Sequence, residues 1–99
     1  MQPNLPTGTE TEILRLLVER GESYGLALVK ASNGKLKRGT VYVLLQRLED
    51  KGLVLSRQED STPEYIGIPR RLYRATDVGG SVLRALDLAV AAVSGNFAT

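Results

Sequence analysis

Lys35, Lys37 and Arg38 stand directly before a segment that reads as an amphipathic helix. A helix start carries unsatisfied N–H groups and partial positive charge, so cations there oppose the dipole unless an anion is to arrive. At about 100° per residue, Val41, Leu44, Leu45 and Leu48 share one face. Gly39, Val43, Gln46 and Asp50 lie opposite, with Thr40, Tyr42 and Arg47 on the flanks. These residue types suit a DNA groove. Gln46 can pair bidentately with adenine, Val43 can meet a thymine methyl, and Arg47 can read guanine or hold a phosphate. Thr40, in the first turn, reaches phosphates or base edges. Tyr42 fits that role and half-buried packing about equally. Lys35, Lys37 and Arg38 are expected on the phosphate backbone, where they give affinity without sequence information. On this helix alone, a buried helix with a solvated basic start explains the pattern as well.

The charge distribution favours the first reading. The chain of 99 residues has a net charge of only +2. Residues 30–57 hold seven cations and two anions, whereas residues 1–29 balance at −2 and residues 58–99 at −1. A basic block in a near-neutral chain points to a localised polyanion-binding face. The length fits one domain with a modest core. There is no Cys and no His. That excludes disulfides, thiolate nucleophiles, zinc-ribbon spacing and the usual general base, and no cofactor or metal is implied. No apolar run approaches the ~20 residues of a membrane span, and the first residues lack a secretory pattern, so the cytoplasm is the expected location.

Elements that position the basic segment follow from local signals. Residues 1–8, with two prolines and a glycine, read as a flexible arm. Thr9 and Glu12 fit a capping box for a first helix rich in Ile13, Leu14, Leu16, Leu17 and Val18, ended by Gly21. Ser23 is the expected N-cap of a short helix over 24–31, and Asn33-Gly34 is a turn signal. The third helix, about 39–51, is closed by Gly52, and Lys51 suits its negative end. Residues 53–58 and 70–75 alternate as strands. Between them, residues 60–63 carry turn chemistry, and Tyr65, Ile66 and Ile68 are apolar enough to fold back on the body. Three helices and a hairpin describe a winged helix-turn-helix, a mainly α fold with a small β-wing, over 9–76. Arg57, Arg70 and Arg71 on the wing are candidate minor-groove contacts. Arg71 or Arg74 could instead pair with Glu59 or Glu64 across the hairpin.

Thr76 is the expected N-cap of a last helix over 77–94, with Asp77 in its first turn and a frayed tail over 95–99. Val82, Leu83, Leu86, Ala89, Val90 and Val93 form an apolar stripe, which Leu88, Ala91 and Ala92 widen. A helix apolar almost all round needs cover on more than one side, so it is expected to be a C-terminal dimerisation helix. Helices one and two covering it within one chain is the alternative.

Three segments in order resemble the PadR family of bacterial winged-helix regulators. They are Glu22-Ser-Tyr-Gly-Leu26, Gly39-Thr-Val-Tyr-Val-Leu-Leu-Gln-Arg-Leu-Glu-Asp-Lys-Gly-Leu-Val54 and Arg71-Leu-Tyr-Arg-Ala-Thr-Asp-Val-Gly79. The resemblance implies a dimeric repressor bound to a pseudo-palindromic promoter operator, with Tyr24 on a phosphate. It also implies that a small-molecule effector can release DNA. Val43 stands where the family often has Pro, and the C-terminal region is short, which leaves the dimer geometry open.

Other classes fit less well. Gly34-Lys-Leu-Lys-Arg-Gly-Thr40 has the glycine spacing of a P-loop, but it lacks the Lys after the second Gly and follows no strand. No enzyme chemistry is therefore expected. A winged helix that binds only proteins is the alternative, against which the basic block and the open-face Thr40, Gln46 and Arg47 argue. An effector pocket is expected at a dimer interface, without a Trp to stack a flat ligand.

Overall fold

A computed structural model describes residues 5–59 and 70–98. The helices are α1 (Gly8–Arg20), α2 (Gly25–Ala31), α3 (Arg38–Asp50) and α4 (Asp77–Ala98), and the strands are β1 (Ser23–Tyr24), β2 (Val54–Gln58) and β3 (Arg71–Ala75). The sheet is antiparallel in the order β1-β3-β2. This is the expected winged helix-turn-helix with a C-terminal helix, plus one strand the sequence did not suggest.

Apolar spacing explains the core. Ile13, Leu14 and Leu17 of α1, Leu28 of α2, and Val41, Leu45 and Leu48 of α3 meet under Leu53, Val54, Tyr73 and Leu83. Leu36, buried in the turn before α3, joins them. Ser32 shapes that turn: its Oγ donates to the Val29 carbonyl and accepts from the Leu36 N–H. Asn33 and Gly34 reverse the chain at φ of 54° and 90°, left-handed values that Asn and Gly tolerate best.

Local caps differ from expectation at three places. The capping box of α1 is Thr7 with Glu10, not Thr9 with Glu12, so the helix takes in Gly8 from the expected arm. Both pairs have the same spacing, but only the first buries Glu10, where it meets Lys51 across the core edge. Lys51 also donates to the Leu5 carbonyl and so ties the arm to the end of α3. Ser23 does not cap α2. Its backbone pairs with Tyr73, its Oγ donates to the Gly21 carbonyl, and α2 starts after Tyr24 without a side-chain cap. The free edge of β3 takes Ser23 into the sheet, where backbone pairing satisfies more groups than one cap. α4 passes the expected end at residue 94 and runs to Ala98, since propagating a helix already nucleated is far easier than starting one.

Helices α3 and α4 meet strand β2 at a close join. Lys51 ends α3, Gly52 takes φ 76°, the Gly52 N–H donates to the Glu49 carbonyl, and the Leu53 N–H donates to the Leu48 carbonyl. This is a Schellman closure. Thr76 is the N-cap of α4, as expected: its Oγ1 accepts from the Gly79 N–H and donates to the Gly52 carbonyl. The first turn of α4 therefore lies directly on the Gly52–Leu53 backbone.

The expected turn at residues 60–63 and the apolar Tyr65, Ile66 and Ile68 fall outside the described residues, as does Glu64.

Candidate nucleic-acid interface

Helix α3 turns its apolar stripe inward and leaves the opposite side open. Val41, Leu45 and Leu48 are buried and Leu44 is half-buried, whereas Gly39, Thr40, Tyr42, Val43, Gln46, Arg47 and Asp50 are exposed. No side chain caps the helix start. Lys35, Lys37 and Arg38 surround it and are exposed. Among the described residues, none of these three forms an ion pair, nor do Lys30, Arg47 and Arg71. An anion in front of α3 would therefore meet open N–H groups and cations without carboxylate partners.

Several expected contact residues are already engaged within the chain. Thr40 Oγ1 donates to the Lys37 carbonyl of its own first turn, at 3.3 Å. The Gln46 amide donates to Asp50 Oδ1 one turn on, at 2.9 Å. A carboxylate opposite is weakly held at a solvent-facing position, so a base edge can replace it. The Tyr42 ring lies against the start of α2: a Cβ on Gly25 would come within 2.6 Å of it. Packing and exposure thus coexist at Tyr42, which remains 45% exposed.

The wing divides its cations into two groups. Arg71 has no ion-pair partner among the described residues. Arg57 forks onto Glu22, with Nε and Nη2 at 2.8 and 2.7 Å from the two carboxylate oxygens. Arg70 donates to Glu59 at 3.3 Å and lies 4.3 Å over the Tyr24 ring, a cation–π distance. The Tyr24 hydroxyl donates to the same Glu59 carboxylate at 2.5 Å. That hydrogen bond, helped by Arg70, holds the Glu59 carboxyl below the usual carboxylate range, and the Arg57 fork does the same for Glu22. Of the expected hairpin pairings, Arg70 rather than Arg71 or Arg74 takes Glu59. Sequence reasoning had no role for Glu22 or Glu59 beyond that pairing, because the partners become neighbours only through strand register.

Between α2, the start of α3 and β3 runs a groove of about 870 Å³, lined by Tyr24, Leu26, Lys30, Arg38, Tyr42 and Arg71 among others. It lies on the basic side of the molecule.

The expected dimer stripe splits along its length. Leu83 belongs to the core of its own chain, and Val82 packs against that core. Leu86 is half-buried, whereas Ala89, Val90 and Val93 are exposed, together with Leu88 at 70%. The bidentate Arg15–Asp87 pair, at 2.9 and 2.8 Å, holds α4 to α1 at the point where the stripe emerges. The Arg15 guanidinium lowers the Asp87 carboxyl pKa.

Among the described residues, no group of three His, Cys, Asp or Glu side chains is placed to hold a metal. None of the described helices is long and apolar enough to cross a membrane.

Similar proteins carry the same architecture. Residues 13–85 match the profile of the transcriptional regulator PadR-like family. A PadR-like transcription factor from Bacteroides fragilis superposes with a TM-score of 0.76 at 27% identity, over 90% of this chain and 85% of that one. A PadR family transcriptional regulator from Eggerthella lenta does so with a TM-score of 0.69 at 32% identity, over 91% and 80%. Bacillus subtilis PadR in complex with operator DNA matches with a TM-score of 0.66 at 25% identity, over 80% of this chain and 46% of that one. No curated protein sequence matches the chain.

Proposed function

This chain belongs to the PadR-like family of transcriptional regulators, and from that premise we propose that it is a dimeric, sequence-specific DNA-binding repressor. The observation that carries this reading is the open face of α3, with six cations around it and the neighbouring groove that have no ion-pair partner among the described residues. Helix α3 enters the major groove. Thr40, Val43, Gln46 and Arg47 face the bases, and Lys35, Lys37 and Arg38 grip the backbone. Tyr42 borders the contact from its seat on Gly25. Tyr24, Arg57, Arg70 and Arg71 form the wing side of the interface. A relative solved on operator DNA supports the same use of this fold. Such a protein acts where the chromosome is, in the cytoplasm, and it binds rather than catalyses. A second copy covers Leu86, Ala89, Val90 and Val93 of α4, which a single chain leaves wholly or partly in water, and pairs two half-sites. An effector remains part of this reading, with the groove beside Tyr24 and Tyr42 as its candidate seat.

The test is fluorescence anisotropy of the purified protein on its own upstream DNA and on a scrambled duplex, across a salt series. A preference of about 10³ or more with a steep salt slope is the expected result. No binding at low salt would instead favour a protein-interaction winged helix.

Three variants refine the assignment. Lys37→Ala and Arg38→Ala should each weaken binding to every sequence and reduce the salt slope by about one. An unchanged slope in both removes them from the interface. Gln46→Ala should change preference at one base position by about 1–3 kcal/mol. A binding-site profile identical to the parent's contradicts that role.

A further inference from the structure

We propose that Glu22 and Glu59 compete with DNA phosphates for Arg57 and Arg70, and so set how tightly this face holds DNA of any sequence. The inference rests on the DNA-binding reading above.

Strand register builds the device. Tyr24 and Arg57 both lie opposite Leu72, so the three side chains form one row across the sheet. Side chains two residues apart share a face. Glu22, Glu59 and Arg70 therefore stand on the same side as Tyr24 and Arg57. The other side is the core side, with Ser23, Val54 and Tyr73 buried. The Glu59 N–H donates to the Arg70 carbonyl at 2.7 Å, which fixes these two residues side by side just beyond the strand pairing.

Each acid occupies the donors that a phosphate would use. A guanidinium forks onto a carboxylate or a phosphate with the same two parallel N–H groups. Arg57 presents that fork to Glu22. Glu59 takes Arg70 and the Tyr24 hydroxyl together. Both pairs are at the surface, where an ion pair is weak enough to exchange with an arriving polyanion. The interface thus holds two classes of cation. Those around α3 are open from the start. Arg57 and Arg70 join only after a carboxylate gives way, and the displaced acid then stands beside the phosphate and repels it.

The experiment is a double-mutant cycle read by anisotropy on the upstream and scrambled duplexes. Glu22→Gln and Glu59→Gln should each tighten binding to both duplexes by about threefold to tenfold, and steepen the salt slope by about one. Arg57→Gln should weaken binding at least threefold more in the Glu22→Gln background than in the parent, because there it also cancels the gain that Glu22→Gln gives. Glu19→Gln, which makes the same charge change at an exposed position on α1, should give no more than about a twofold gain. The proposal is overturned if Glu22→Gln and Glu59→Gln bind no tighter than Glu19→Gln, if they bind more weakly than the parent, or if Arg57→Gln costs the same in both backgrounds. Absence of binding by the parent overturns the DNA-binding reading and this one with it. Binding by the parent without a gain in the variants overturns only this one.

Discussion

Gly79→Ala should destabilise the protein by about 2–3 kcal/mol, the upper part of the usual cost of forcing atoms into a packed site. A Cβ at this position would lie 2.2 Å from the Leu53 carbonyl oxygen and 3.2 Å from Leu14 Cδ1. The first neighbour is backbone, held by the closure of α3 and by the Thr76 N–H, which donates to the same carbonyl. It cannot rotate away as a side-chain tip would. Relief requires α4 to lift from the Gly52–Leu53 turn, which loosens the Thr76 cap and pulls Leu83 from the core. In a domain of this size that cost corresponds to a fall in Tm of about 10–20 °C. Gly80→Ala provides the contrast. A Cβ there meets nothing within 4 Å, and the position is helical. Replacing a helical Gly by Ala should stabilise by about 0.5–1 kcal/mol. Opposite shifts in adjacent variants, followed by circular dichroism on heating, check the close approach of α4. A Gly79→Ala protein as stable as its parent would contradict it.

Val90→Glu should turn the proposed dimer into a monomer and lower affinity for the upstream DNA by about 10²-fold or more. The loss follows from linkage: a second half-site engaged within one assembly adds about 10²–10⁴ to avidity without any new contact type. Val90 is 66% exposed and lies beyond the Arg15–Asp87 pair, so the substitution should leave the winged helix folded. The new carboxylate would have to be desolvated within the apolar surface of Leu86, Ala89 and Val93 that a second copy is proposed to cover. Sedimentation of parent and variant, with the thermal transition of each, separates the two effects. A variant that still sediments as a dimer would show that the second copy docks elsewhere. A variant that is monomeric yet binds DNA as tightly as the parent would show that one winged helix suffices.

Much of this fold is legible in the chain itself, because helices and strands leave their signature within a few residues. Val41, Leu44, Leu45 and Leu48 set the inward face of α3 by spacing alone, and the open face of Thr40, Val43, Gln46 and Arg47 follows by subtraction. The Asn33-Gly34 reversal, the Gly52 closure and the Thr76 cap are also local chemistry. The concentration of cations around α3 is visible as charge density along the sequence. These features together gave the winged helix, its recognition helix and the basic face.

What the tertiary structure decided depends on contacts between distant residues. Thr7 and Thr9 offer the same capping spacing, and only the burial of Glu10 against Lys51, 41 residues away, selects Thr7. Ser23 joins a strand rather than a cap because β3 offers it a free edge. Arg57 and Arg70 look as available as Arg71 in the sequence, yet strand register brings Glu22 and Glu59 to them and leaves Arg71 open. Leu83 lies in the same apolar stripe as Val90, but the packing of α4 on α1 and the β2 turn buries the first and exposes the second. Periodicity is written into neighbouring residues; register and helix docking are set by the sum of many distant contacts, which no short stretch of sequence contains.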